Sequence, residues 1–289
     1  MKPAPFEYVR PSDVRGAVSA LADHGGMARV LAGGQSLVPM LGMRLMRPSA
    51  LIDINGLEAE LGQIEVRGAE TAIGALVRYS ALERSPLIAE RLPLIGSAIR
   101  YIGDRQVRNR GTIGGAVSQA DPTGEMPLVC LVAGARVIAR GPAGEREIPI
   151  EDFFLGSYAS ALAPEELLTE LRFGALPERW AFFERGRKHN DFALLSIAVL
   201  ASRGADGRWS GVRIGLGGMS DTPVLARHAA ARLEGVEWDA AALAEAAQLA
   251  LEDCDPPDDV RASAEYRCHL LPIHLRRVLA GLSAGGAGG

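Results

Sequence analysis

What the sequence has little of narrows its chemistry first. Cysteine occurs three times and histidine five times in 289 residues. Cys254 and Cys268 show no CxxC spacing, and Cys130 sits in the apolar run PLVCLVAG. That inventory is too small and too scattered for an iron–sulfur cluster or a zinc finger. Cys268, His269 and His274 fall in a helical pattern beside Arg267, Arg276 and Arg277 and read as structural, so no metal ligands are assigned. Long apolar runs are missing too. None reaches the ~18 residues of a membrane span, and MKPAPFEYVR carries charge and proline where a signal peptide is apolar, which sets the expectation of a soluble cytoplasmic protein. Excess positive charge is absent: 31 basic against 35 acidic residues, a net charge of -4, argue against a nucleic-acid partner. Neither GxGxxG nor GxxxxGK[ST] occurs, which removes the main signatures of dinucleotide and P-loop phosphate binding. No acid–base dyad or nucleophile triad stands out, and no catalytic residue is assigned.

Glycine is what the chain has in plenty, with 34 residues of 289 against an average of roughly 7%. Val14, Ala17, Val18 and Leu21 recur at helical spacing after Ser12 and Asp13, predicting a helix over 13–24 that stops at Gly25 and Gly26. Short strands are expected at ARVL, 50–54, 63–67 and 71–74, and two short helices over 80–102, started by Pro86 and Pro93. Val137 and Ile138, a turn at Gly141 to Gly144, then Ile148 and Ile150 predict a hairpin, and further strands fall at 167–173 and 180–185. The proline and charges of ALPER at 175–179 mark a seam. Beyond it come two strands, FALLSIAVLAS and GVRIGLGGM, then helices at about 239–253 and 260–281 and a low-complexity tail, SAGGAGG, expected to be disordered.

Two loops carry the chemistry: Ala32-Gly33-Gly34-Gln35-Ser36 and Gly111-Thr112-Ile113-Gly114-Gly115. Paired glycines let main-chain N–H groups turn toward one anion, and Ser36 and Thr112 add hydroxyls, so a phosphate ligand is the expected chemistry. Either loop alone reads as readily as a structural turn.

Together with their flanks, the loops resemble the FAD-binding medium subunit of molybdenum hydroxylases, the group of aerobic carbon monoxide dehydrogenase and the xanthine dehydrogenase flavin domain. The resembling blocks are ARVLAGGQSLVPMLGMRLMRPSALIDI, IGDRQVRNRGTIGG, ADPTGEMP, RGRKHNDFALLSIA and RASAEYRCHLLPIHLRRVL, in that order along the chain. The resemblance implies an α+β fold: a two-part FAD-binding domain of the PCMH (vanillyl-alcohol oxidase-like) type over residues 1–176, then a smaller α+β domain over 177–281 and a tail over 282–289. It implies non-covalent FAD, its pyrophosphate wrapped by the backbone of Ala32 to Ser36 and Gly111 to Gly115. Glu125 would meet a sugar-like hydroxyl of the cofactor and Leu168 would pack against it. Asp53, Arg108 and Asn109 lie in matching flanks without individual roles. Molybdopterin and 2Fe-2S clusters would belong to a large and a small partner subunit, in a heterotrimer or a dimer of heterotrimers.

Two departures from the family pattern stand out. Ala116 occupies a position where many relatives have asparagine, and Glu125 is one methylene longer than the usual aspartate. Phe192 falls where relatives often carry an aromatic close to the flavin ring, or is simply core. Arg185, Arg187 and Lys188 either favour an anionic reduced flavin or line a solvated edge. The function implied is electron transfer from an iron–sulfur partner through FAD to an external acceptor. The alternatives are a stand-alone flavin reductase or oxidase on a related fold, and a non-catalytic scaffold whose glycine loops are only turns.

Overall fold

The computed structural model describes residues 2–188 and 191–285. The first unit comprises β1 (Glu7–Val9), α1 (Val14–Asp23), β2 (Ala28–Leu31), α2 (Leu37–Gly42), β3 (Ala50–Asp53) and α3 (Glu58–Leu61). Its three strands are parallel, in the order β1-β3-β2. Helix α1 begins where the Asp13 carboxylate accepts from the Gly16 amide at 2.7 Å, and its apolar stripe, Val14, Ala17, Val18 and Leu21, buries against Ala50, Ile52 and Leu57.

The second unit runs through β4 (Ile64–Arg67), β5 (Glu70–Gly74), α4 (Tyr79–Arg84), α5 (Pro86–Arg91), α6 (Pro93–Ile99), α7 (Arg105–Arg110), α8 (Ile113–Gln119) and α9 (Glu125–Val132). It closes with β6 (Arg136–Gly141), β7 (Gly144–Pro149), the small hairpin β8 (Phe154–Gly156) and β9 (Ala159–Ser160), and β10 (Leu167–Phe173). Five strands form an antiparallel sheet, β4-β5-β10-β6-β7. One face buries Ile73, Val137 and Leu171 against the helices, while the other carries crossed pairs such as Arg67–Glu170 at 2.9 Å and Arg136–Glu147 at 3.1 Å.

The third unit is β11 (Arg179–Gly186), β12 (Ala193–Arg203), β13 (Trp209–Gly217), β14 (Val224–Leu225), α10 (Arg227–Leu233), α11 (Ala240–Leu249) and α12 (Ala264–Ser283), with its strands antiparallel in that order. Strand β12 is apolar without alternation because both of its faces are covered. Leu195, Ile197, Val199 and Ala201 join a core with α10, α11 and α12. Ala198 and Leu200, with Phe182 of β11, join the core of the second unit, where α6 and α9 lie. Gly215 makes the second contact possible, since a Cβ there would lie 2.2 Å from Val132 Cγ2 of α9.

The mixed helix-and-strand organisation is as the sequence predicts, and most strands fall within two residues of expectation. Strands β1, β8, β9 and β14 and helices α2, α3, α4, α7, α8, α9 and α10 were not anticipated. Each of those helices has four to eight residues, too few for an amphipathic period to show. GTIGG, read as a loop, is only half loop: Thr112 is an N-cap and Ile113 the first residue of α8. Of the tail, residues 286–289 lie outside the described residues.

Candidate functional site

The first glycine loop leaves the end of β2 and enters α2. A Cβ on Gly33 would lie 2.3 Å from the Arg110 carbonyl oxygen and 2.9 Å from Gly111 Cα, so the two glycine loops touch, backbone to backbone. Gly34 has φ +73°, a left-handed conformation that glycine adopts without strain. The amides of Gly33, Gly34, Gln35 and Ser36 donate to no acceptor among the described residues, and the Ser36 hydroxyl makes no cap bond to α2. Four consecutive donors in one turn are thus left available to an acceptor from outside the described residues.

The second loop is built differently. Gly111 N–H donates to Val107 O at 2.7 Å, Ile113 N–H to Val77 O at 3.1 Å, and Gly114 N–H to Ala75 O at 3.1 Å. Gly115 N–H donates to Thr112 Oγ1 at 3.1 Å. Only the Thr112 amide has no acceptor among the described residues. The Ile113 side chain is fully buried, and a Cβ on Gly114 would meet Ala75 Cβ at 2.5 Å. Of the amides expected to form a cradle along Gly111 to Gly115, only that of Thr112 is therefore left free among the described residues: Ile113 and Gly114 pin α8 to the segment after β5, while Gly111, Thr112 and Gly115 line the cavity.

Two residues that sequence reasoning missed hold the loops together. Asn55 Nδ2 donates to Ala32 O at 2.9 Å and to Asp53 Oδ1 at 2.6 Å. Arg78 donates to Asn55 Oδ1 at 2.5 Å and also to the Arg110 carbonyl. Asp53 additionally accepts from the Tyr8 hydroxyl, and its carboxyl is held below the usual range, the hydrogen bonds from Tyr8 and Asn55 outweighing the opposing effect of burial. Burial, then the neighbouring Arg110, lowers the Arg78 guanidinium. Nothing in the local sequence flags Asn55 or Arg78, whose partners lie 23 and 32 positions away. Arg108 donates to Ile102 O and Gly103 O, at 3.2 and 2.9 Å, and so shapes the rim; Asn109 is exposed.

The loops floor a cavity of about 380 Å³ that Ala32, Gly33, Gly34, Gln35, Ser36, Gly111, Thr112, Gly115 and Glu125 all line. Ala116 lines it as well, leaving a methyl where the family pattern puts an amide. A second cavity, of about 420 Å³, shares Val30, Ala32, Leu37, Gly115 and Gln119 with the first and is lined by Gly114 and Leu168. The two cavities therefore share part of one wall. Phe192, 54% exposed, lines the mouth of the first cavity, with the Arg261 guanidinium carbon 4.1 Å above its ring centre. Arg185, Arg187 and Lys188 are exposed and outside the cavity lining; on the α12 face of the sheet burial first, then Arg277 and Arg185, lower the His274 imidazole. His189 and Asn190 lie outside the described residues.

Glu125 opens α9 at the cavity wall, and burial, with a smaller push from Asp121, raises its carboxyl to about 7. Behind it Glu184 of β11 is raised to about 8, by burial first and by Glu125 second. Among the described residues no group of three or more His, Cys, Asp and Glu side chains could hold a metal ion, and no helix is long and apolar enough to cross a membrane. Cys130 is buried and raised by desolvation, while Cys254 is pushed up to about 12, so neither is a ready thiolate at neutral pH.

Known proteins of similar sequence include several FAD-binding and medium-chain subunits. The profile described as FAD binding domain in molybdopterin dehydrogenase matches residues 4–175, and that of the CO dehydrogenase flavoprotein C-terminal domain matches 180–282. The 6-hydroxypseudooxynicotine dehydrogenase complex subunit alpha of Paenarthrobacter nicotinovorans is 37% identical over 97% of this chain and 95% of its own length. The carbon monoxide dehydrogenase medium chain of Hydrogenophaga pseudoflava is 36% identical over 96% and 97%. A solved carbon monoxide dehydrogenase from Hydrogenophaga pseudoflava, which lacks the Mo-pyranopterin moiety of its molybdenum cofactor, superposes with a TM-score of 0.95 at 37% identity, covering 98% of this chain and 99% of that one. The chain belongs to the FAD-binding medium-subunit family of the molybdenum hydroxylases.

Proposed function

We propose that this chain is the FAD-binding electron-transfer subunit of a molybdenum hydroxylase complex. It would collect electrons from an iron–sulfur small subunit, served by a molybdopterin large subunit, and pass them to an external acceptor. The observation that carries this reading is the first loop: four neighbouring amides without internal partners, pressed by a side-chain-free Gly33 against the second loop, at the floor of two cavities that share part of one wall. A Cβ at position 33 would force the loops apart, and the unpartnered amides beside it fit a pyrophosphate cofactor. FAD, when bound, supplies the two-electron and one-electron chemistry that no side chain here can.

The chain's own residues position and shield it. Gly33 to Ser36 and the Thr112 amide would seat the pyrophosphate, Asn55 and Arg78 would keep the loops in register, Glu125 would accept from a cofactor hydroxyl, and Leu168 would line the second compartment. Among the described residues no cysteine or histidine lines either cavity, in keeping with a non-covalently held cofactor. The family supports a subunit over a stand-alone reductase or oxidase. We read residues 1–176 as a PCMH-type domain and 177–281 as the C-terminal domain of a cytoplasmic heterotrimer or dimer of heterotrimers. The test is purification from cells expressing its partners. A flavin spectrum with stoichiometric molybdenum and iron on co-purifying chains is expected; a flavin-loaded chain that turns over a substrate alone would overturn the subunit reading.

A further inference from the structure

The connection from α11 to α12 runs to the mouth of the first cavity, where Arg261 lies over the exposed ring of Phe192. Its course is fixed from within. Arg267 on α12 is 1% exposed, and its Nη1 donates to Leu194 O of β12 at 2.6 Å and to Gly218 O, just past β13, at 3.1 Å. Its Nη2 donates to Asp259 Oδ2 at 2.8 Å. The other Asp259 oxygen accepts from the Arg261 amide at 2.8 Å and from the Ala262 amide at 3.0 Å. The Asp259 amide closes the turn by donating to Ala262 O at 3.1 Å. A buried guanidinium without a carboxylate partner would be costly, so Arg267 and Asp259 hold each other, and with them the turn, against the adjoining ends of β12 and β13.

What the turn delivers is one side chain. Among the described residues the Arg261 guanidinium pairs with no carboxylate; it stacks on the Phe192 ring, 4.1 Å from its centre. A planar guanidinium lying on a ring face restrains the ring as a compact ammonium does not. Phe192 directly precedes β12, its amide donating to the Asp191 carboxylate at 2.9 Å, and both residues line the cavity. Half-exposed, the ring would otherwise change rotamer freely in solvent. Arg261 is not part of the cavity lining, so its effect on a bound ligand passes through Phe192.

We propose that Arg261 is the positioning residue of the cavity mouth: stacked on Phe192, it holds that ring in one orientation at the opening, and the Arg267–Asp259 pair is the clamp that keeps it there. For the identity of the ligand this rests on the FAD reading above; the restraint on the ring is a property of the chain alone. The third unit thereby completes a site whose floor belongs to the first two. A cofactor in the cavity gains a fixed apolar wall at its entrance, which slows its release and shields it from water.

The test is a double-mutant cycle on the full chain with two readouts. In apo-chain labelled with para-fluorophenylalanine, the fluorine resonance lost in Phe192→Leu identifies the ring. Arg261→Ala and Asp259→Asn are expected to move it toward the position of a solvated phenylalanine, and Arg261→Lys, which keeps the charge without the planar stack, to move it nearly as far. In the FAD-loaded chain, Arg261→Ala and Phe192→Leu are each expected to speed FAD release about three- to tenfold, read as recovery of free-flavin fluorescence on dilution, and to alter the visible circular dichroism of the flavin. Because Arg261 acts through the ring, adding Arg261→Ala to Phe192→Leu should change the release rate less than about 1.5-fold. A ring resonance unmoved by Arg261→Ala, or release rates that multiply in the double variant, would overturn the proposal, even if Asp259→Asn failed to fold. A wild-type chain that takes up no FAD would sink the functional reading instead, while the resonance would still decide for or against the clamp.

Discussion

An alanine at position 33 would drive its Cβ into the Arg110 carbonyl and pry the two loops apart, while the buried cores stay as they are. Gly33→Ala is therefore expected to weaken FAD binding at least about tenfold, ~1.4 kcal/mol, with little loss of thermal stability, as read by flavin fluorescence titration and a thermal melt. Gly114→Ala strikes the Ala75 backbone instead and should cost about 1–3 kcal/mol of folding stability, seen as a lower Tm before any cofactor is added. Arg78→Ala breaks the bridge between Asn55 and Arg110 and removes a charged donor worth about 1.5–3 kcal/mol, so the FAD Kd should rise by one to two orders of magnitude. Glu125 and Glu184 make the apo-protein pH-sensitive as well. Both groups bind protons more tightly when folded than the ordinary 4.5, so their contribution is fully present below about pH 4.5 and is lost as pH rises through 7 to 8. The Tm of apo-protein should accordingly decline over that window, and decline less in Glu184→Gln. At this scale the glycines were legible because their pairing with Ser36 and Thr112 is local. Asn55 and Arg78 were not, because each works through a partner distant in sequence.

Among the elements, β12 and α9 decide how the cofactor region is braced. Strand β12 is covered on both faces, and Gly215 of the neighbouring strand lets α9 settle against the sheet with Leu128 and Val132. Gly215→Val should wedge that contact open, lower Tm by several degrees and loosen FAD, since α9 begins at Glu125; a variant with an unchanged Tm would show that the helix does not rest there. The strand was readable as an unbroken apolar run, and α1, α11 and α12 as capped or long periodic segments. Helices α2, α7 and α8 were hidden by their six or seven residues, and α2 and α8 also by glycine and proline that weaken helical propensity. Their ends are fixed by tertiary hydrogen bonds such as Ile113 N–H to Val77 O, which no local pattern records.

The whole molecule is two cores joined by one sheet, with the first unit's core alongside, and this continuity makes the third unit a brace for the second rather than an appendage. Thermal unfolding of the apo-chain should show one main transition across the seam at 175–179; two well-separated transitions would mean that Ala198 and Leu200 do not couple the units. Denaturing the loaded protein in acid should release all yellow colour into solution, because among the described residues no cysteine or histidine lines either cavity. The overall organisation was legible from the order of its blocks. The shared core was not, because a strand buried on both sides looks the same whichever neighbours cover it.

The contact of Gly33 with Arg110 and Gly111 also sets a timetable. The proposed anion seat is made from residues near the start of the chain, but its opposite wall does not exist until the second loop has emerged from the ribosome and α8 has docked. During synthesis the nascent chain thus passes through a long interval in which the amides of Gly33 to Ser36 have no second loop against them. On the proposed reading cofactor capture would follow that docking, which would make acquisition of the flavin a late checkpoint on correct assembly of the first two units.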